Sequence, residues 1–148
     1  MSNAIANYHI VYDGLCNLCV GFVQQLEQLD RGLLFDYIPM QDTETLAKFE
    51  LSDADCELGM ILIDAKFPDQ RWQGSHAAEE IVRRFPAAAQ AITLYRLLPG
   101  VQWMGDRFYE QIRDNRYQWF GKRDDIYCSP YAIGCASLRN SDEGSLTN

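Results

Sequence analysis

The chain changes periodicity between residues 13 and 16, and a pair of cysteines sits on the change. Asn7-Tyr-His-Ile-Val-Tyr12 is a β-prone run closed by Asp13-Gly14. From Cys16 onward, Cys19, Phe22, Val23, Leu26 and Leu29 recur at helical spacing, while Asn17, Gln24, Gln25, Glu27 and Gln28 fall on the opposite face. A strand that hands over directly to an amphipathic helix is the first half of a β-α-β unit. Cys16-Asn17-Leu18-Cys19 occupies the handover.

The rest of the chain extends that pattern. Gly32 supplies a helix stop, Leu33 to Ile38 returns to strand, and Pro39 ends it. Asp42 or Thr43 caps a short helix to Phe49, and Leu51 to Glu57 is expected as a polar loop in which Cys56 is a lone thiol. Met60 to Ile63 is an apolar strand, the segment from Ala65 to Gln70 turns at Pro68-Asp69, and Arg71 to Gly74 pairs back. Ser75 is the expected N-cap of a helix bearing Ala78, Ile81, Val82 and Phe85 on one face. Pro86 breaks it, and Ala87 to Leu98 is helical until Pro99-Gly100. Asp106 is expected to cap a last long helix that runs through Phe108, Ile112 and Trp119 and ends at Gly121.

The order β-α-β-α-β-β-α, with helices appended, is a two-layer α/β arrangement. Its first strands are parallel with a right-handed crossover and its last two form a hairpin, so the four-stranded sheet is mixed. Residues 1–136 are expected as one domain, with C-terminal helices at about 87–121 and a loose polar tail at 137–148. If the Met60 strand runs antiparallel to the first strand, the Arg71 strand runs parallel to it. Gly74, Ser75 and His76 then reach the same sheet edge as the cysteines.

At that handover Cys16 stands at a helix start, where unpaired N–H groups and the helix dipole favour a thiolate. Cys19, one turn further, shares its face and is close enough to close a disulfide. Cys16 is thus the expected attacking thiolate and Cys19 the resolving thiol. A carboxylate at Asp13 either accepts a proton during exchange or caps the Cys16 helix and closes the turn, and it opposes the dipole by raising the thiol pKa. His9 lies too far back along the strand to serve as a base for Cys16. Two other readings of the pair are half a zinc site and two inert buried thiols. Zinc needs two more ligands, and Cys128 and Cys135 are spaced too widely for the usual motif. A c-type haem site is excluded because Val20, not His, follows Cys19.

The composition narrows the partners. A formal charge of −8 argues against a nucleic-acid or anionic-membrane footprint, and the longest apolar stretch, Ala87 to Leu98, is interrupted by Gln90 and Arg96. With five cysteines and no leader-like start, the expected location is cytoplasmic and a disulfide scaffold is unsuitable. Arg-rich Tyr109 to Phe120 is expected to cover apolar surface with its Arg stems rather than stack on nucleic acid, with Asn115-Arg116 bracing the domain.

Tyr12-Asp13-Gly14-Leu15-Cys16-Asn17-Leu18-Cys19 resembles the D-x-x-C-x-x-C signature of the DCC family of thiol-disulfide oxidoreductases. Tyr109, Asn115, Arg116, Phe120 and Gly121 match that family's second block, and Ser75-His76-Ala77 stands where it usually has Ser-Asp-Ala. The resemblance implies a thioredoxin-like fold and disulfide reductase or exchange activity. No cofactor is implied beyond the protein dithiol, with electrons supplied by glutathione or a reductase to reduce a disulfide-containing protein or small thiol substrate. The chain departs from thioredoxins and glutaredoxins where they carry a cis-proline, having Leu58-Gly59-Met60 instead. Glutaredoxins, similar in layout here, bind glutathione at the helix start corresponding to Ser75. Gly74, Ser75, His76 and Met60 are therefore the expected substrate-binding residues, with a plain capping role for Ser75 the alternative. A non-catalytic interaction domain on the same fold is the rival reading of the whole chain.

Overall fold

The structure is a computed structural model, and it describes residues 7–57 and 59–131. Four strands form one sheet: β1 (Tyr8–Tyr12), β2 (Phe35–Pro39), β3 (Ile61–Asp64) and β4 (Arg71–Gln73), in the spatial order β2-β1-β3-β4. β1 pairs parallel to β2, with Tyr8 opposite Phe35 and Tyr12 opposite Pro39. β3 runs antiparallel to both β1 and β4, placing Val11, Ile61 and Gln73 in one row. β4 therefore runs parallel to β1, and both end at the same edge. Pro39, which lacks a donor, is tolerated because β2 lies at the side of the sheet.

Both faces of the sheet are covered, which explains why its strands read as near-continuous apolar runs. Ile10, Tyr12, Phe35, Tyr37 and Leu62 point to one face, against α1 (Asn17–Asp30) and α4 (Ser75–Arg83). Val11, Ile38, Ile61 and Ile63 point to the other, against α2 (Thr43–Lys48) and α3 (Asp53–Glu57). The strand period of two divides the core between these faces. The resulting mixed α/β architecture is compatible with a thioredoxin-like arrangement.

α1 starts at Cys16, which is the N-cap, and ends with Arg31 and Gly32 both at positive φ. The Asp30 carboxylate accepts the backbone N–H groups of Leu34 and Phe35 at 3.0 Å, tying the helix end to β2. α5 (Pro86–Leu97) begins on its proline, whose missing N–H is no loss in a first turn. α6 (Val101–Phe120) then crosses the sheet edge where β1 and β4 end, in contact with α1 and α4.

Three local expectations are corrected. Leu51 to Glu57 is not wholly loop: Asp53–Glu57 forms α3 and buries Cys56 in the second core. Gly74, at φ 64°, caps α4 in place of Ser75, because its conformation suits glycine and Ser75 already lies within the helix. Gly100 caps α6, and Asp106 stands inside it. Tyr109, Ile112, Arg113 and Arg116 of α6 face inward, while Phe108 and Trp119 are exposed. Cys135 and the expected tail at 137–148 lie outside the described residues.

Candidate active site

The turn between β1 and α1 is held by Asp13. Its Oδ1 accepts the Leu15 N–H at 3.0 Å and the Gln41 side-chain amide at 2.8 Å. Its Oδ2 accepts from Arg116, with Nη2 at 3.2 Å, and from the Tyr117 hydroxyl. Burial pushes this carboxyl up, but the hydrogen bonds from Tyr117, Leu15 and Gln41 and the Arg116 charge prevail, leaving it below its ordinary value. Asp13 thus closes the turn as an ionised group, while the helix cap is Cys16 itself.

Cys16 has extended backbone (φ −93°, ψ 122°), and its sulfur accepts the Cys19 N–H at 3.5 Å. The Cys19 thiol also donates to it, and this donor is the largest influence on Cys16. It outweighs burial, is assisted by the backbone N–H groups of Cys19 and Leu18, and is opposed by Asp13, bringing the Cys16 thiol down to about 6. Cys19 is pushed far up by the same hydrogen bond, then by burial and by the charges of Cys16 and Asp13. The pair holds one thiolate, at Cys16, and one proton, at Cys19.

Accessibility runs the other way. Cys16 is 0% exposed, whereas Cys19 is partly open. The segment after α6 covers Cys16: Lys122 forms an antiparallel bridge with it, and the Arg123 N–H donates to Leu15 O at 2.6 Å. Asn17 anchors the same segment through its side-chain amide, which donates to Phe120 O at 2.8 Å. Tyr127 N–H donates to Gly14 O at 3.0 Å. Cys128, just beyond, is half-buried.

Cys19 faces a cavity of about 230 Å³ between β1, α1, the start of β3 and α6. Its wall is largely apolar, including Leu18, Phe22, Met60, Ala78 and Ile112, with Asp13, Tyr109, Arg113 and Arg116 among its polar members. Met60 lines this cavity, and Gly74, whose N–H donates to Met60 O at 2.8 Å, lies immediately beside it. Ser75 is turned away: its hydroxyl donates to the Asp106 carboxylate on α6. His76 is exposed. The Met60 N–H donates to the Tyr109 hydroxyl at 3.2 Å, so α6 already occupies the backbone edge at the start of β3. His9 points elsewhere, pairing with Asp36 on β2 and packing on Phe49. Among the described residues no group of three or more His, Cys, Asp or Glu side chains is gathered to hold a metal. No described helix is long and apolar enough to cross a membrane.

The model of the DCC1-like thiol-disulfide oxidoreductase family matches residues 10–122, from β1 to just past the end of α6. The chain belongs to the DCC1-like thiol-disulfide oxidoreductase family. It is also similar to the uncharacterized protein YuxK of Bacillus subtilis (strain 168), with 29% identity over 126 residues, covering 84% of this chain and 88% of that protein. No solved structure matches the chain. Within this DCC1-like chain, the block that ends α6 meets the CxxC directly: Arg116 holds Asp13, while Phe120 and Gly121 receive Asn17. The Asn115 side-chain amide donates to Gln111 O of its own helix at 2.8 Å, while the bond across the domain to Asp13 is made by Arg116. Tyr117 and Tyr109 were not recognisable as partners of Asp13 and Met60, because nothing local links positions so far apart in the chain.

Proposed function

We propose that this DCC1-like protein reduces disulfides through the Cys16–Cys19 dithiol. The observation that carries the reading is the division of labour within the pair: a thiolate at the start of α1 and a proton stored on the thiol one turn later. Cys16 attacks one sulfur of the substrate disulfide and forms a mixed disulfide, and the departing thiolate takes the Cys19 proton. Cys19 then attacks Cys16, releases the second substrate thiolate and closes the Cys16–Cys19 disulfide. An external thiol such as glutathione, or a reductase, returns the pair to its dithiol form.

Asp13 acts in this scheme as a positioning residue rather than a proton carrier. It is held ionised by four donors, and it fixes Arg116 against the cavity beside Cys19. The edge formed by Met60, Gly74, Ser75 and His76 stands beside the substrate path, with Met60 alone of these lining the cavity. The complete burial of Cys16 favours the rival, a domain using this fold for interaction alone. One experiment separates the two. Cys16→Ser should abolish reduction of a model disulfide, and Cys19→Ser should accumulate a mixed disulfide at Cys16, seen by intact mass. A wild-type pair that neither reduces disulfides nor reacts with alkylating reagents would leave the interaction reading.

A further inference from the structure

We infer that the substrate is a compact apolar disulfide, such as a dithiolane or a short alkyl disulfide, which enters the cavity beside Cys19; this rests on the dithiol reading above. Three observations select that class. The cavity wall presents Cys19 among Leu18, Phe22, Met60, Ala78 and Ile112, so a molecule seated there meets a redox sulfur with its apolar body already desolvated. At about 230 Å³ the space is smaller than the pockets of roughly 300 Å³ and more that enclose drug-sized ligands. A peptide disulfide such as glutathione disulfide, with two charged tripeptides, does not fit it.

The routes that an extended peptide would use are also taken by the chain itself. The Met60 N–H, which could pair with a peptide backbone, is bonded to the Tyr109 hydroxyl. Ser75 at the start of α4 is bonded to the Asp106 carboxylate, where a peptide carboxylate would otherwise dock. The outer side of Cys16 is bridged to Lys122. What remains open is the Cys19 side, through the apolar space.

Within the cavity the substrate disulfide lies against Cys19, one hydrogen bond in front of the Cys16 thiolate, and rotation of the Cys19 side chain brings the two together. The Cys16 sulfur bonds to one substrate sulfur and the substrate S–S bond breaks. The freed sulfur takes the proton from Cys19. Cys19 then attacks Cys16, and the second substrate sulfur leaves as a thiolate and is protonated by water. The substrate gains two electrons and two protons, and the enzyme pair is oxidised to its disulfide.

The test uses the full-length protein, reduced beforehand and freed of reductant. It is mixed with a large excess of lipoamide in one arm and of glutathione disulfide in the other, so that mass action carries the exchange forward, and the initial rate of oxidation of the pair is followed by quenching with an alkylating reagent. Each rate is divided by that of the same disulfide with a free alkyl thiol, which removes the intrinsic reactivity of the ring. The normalised rate with lipoamide should exceed that with glutathione disulfide by at least about ten-fold, the scale on which pocket contacts discriminate. Ala78→Phe, which fills the cavity, should lower the lipoamide rate strongly, and Ala78→Val by less, with thermal unfolding checking that each variant is folded. If the Phe variant does not fold, the Val variant decides. Equal or faster oxidation by glutathione disulfide, or a lipoamide rate indifferent to folded Ala78 variants, overturns the substrate class while leaving the dithiol reading intact. Oxidation by neither disulfide overturns both.

Discussion

Arg116 on the last helix and Asp13 in the turn before the first helix stand 103 positions apart, yet their side chains form an ion pair at 3.2 Å. Both are largely removed from water, at 15% and 4% side-chain exposure. The pair locks α6 over the cysteines, because the turn it holds is the one that positions Cys16.

Removing Arg116 should therefore destabilise the whole fold. A buried carboxylate left without its counter-charge costs about 3 kcal/mol, at the lower end for such pairs because Tyr117, Gln41 and Leu15 still donate to it. Arg116→Gln should lower the melting temperature, and adding Asp13→Asn should recover much of the loss. The pH dependence has a definite sign. Asp13 has a folded pKa below its ordinary 3.8, so its contribution is full above that value and is lost as pH falls through the folded pKa. The gap between wild type and Arg116→Gln should thus be constant near neutrality and narrow in acid. A gap that widens on acidification would be incompatible with this pair.

Gly59 makes a second prediction. It sits at φ 122°, and an added Cβ would lie 2.9 Å from the Tyr109 hydroxyl and 3.2 Å from the Gly74 Cα. Three segments, the starts of β3 and α4 and the middle of α6, meet on this one residue. Gly59→Ala should destabilise by about 2 kcal/mol, combining backbone strain with a displaced Tyr109. A urea unfolding midpoint unchanged from wild type would show that neither constraint operates.

The parts of this architecture legible in the sequence are those encoded locally. The β1-α1-β2 unit, the β3-β4 hairpin and the position of Cys16 at a helix start all follow from periodicity and turn residues between neighbours. Their relative directions then carry Gly74 and Ser75 to the edge where the CxxC lies. The misses share a different cause. α3 has five residues, too few to display a helical period, so the sequence around Cys56 carries only a loop signal. Ser75 and Asp106 each look like caps, and instead they bond each other across two helices. The Tyr117 and Arg116 contacts to Asp13, and Tyr109 to Met60, depend on how α6 docks. An exposed Phe108 and Trp119 carry a stronger apolar signal than the residues that actually face inward.

The thiol pair can be titrated. Cys16 is brought down to about 6 chiefly by the Cys19 thiol, ahead of the backbone N–H groups. Thiolate absorbance or alkylation rate should accordingly show a midpoint near 6 for Cys16 in the wild type. Cys19→Ala removes the main donor and should move that midpoint up toward an ordinary thiol, whereas Cys19→Ser keeps a hydroxyl donor and should move it less. Equal midpoints in the two variants would mean that the helix start, not Cys19, controls the thiolate.

The same balance sets a reduction potential. A stabilised thiolate favours the dithiol form and makes the disulfide more oxidising, whereas a nearby carboxylate works the other way. At Cys16 both act: Cys19 and the N–H groups lower the pKa, and Asp13 raises it. Among CxxC proteins an active thiol of pKa about 7 accompanies a potential of about −270 mV, and one of about 3.5 accompanies about −120 mV. A Cys16 value of about 6 falls between these two, nearer the first. Equilibration with glutathione buffers, read by mass after alkylation, should return a value in that region, where a glutathione pool can drive the pair in either direction. Asp13→Asn should shift it toward the oxidising side by removing the opposing charge. A shift toward the reducing side, in a variant that remains folded, would mean that Asp13 governs the pair through Arg116 rather than through its own field.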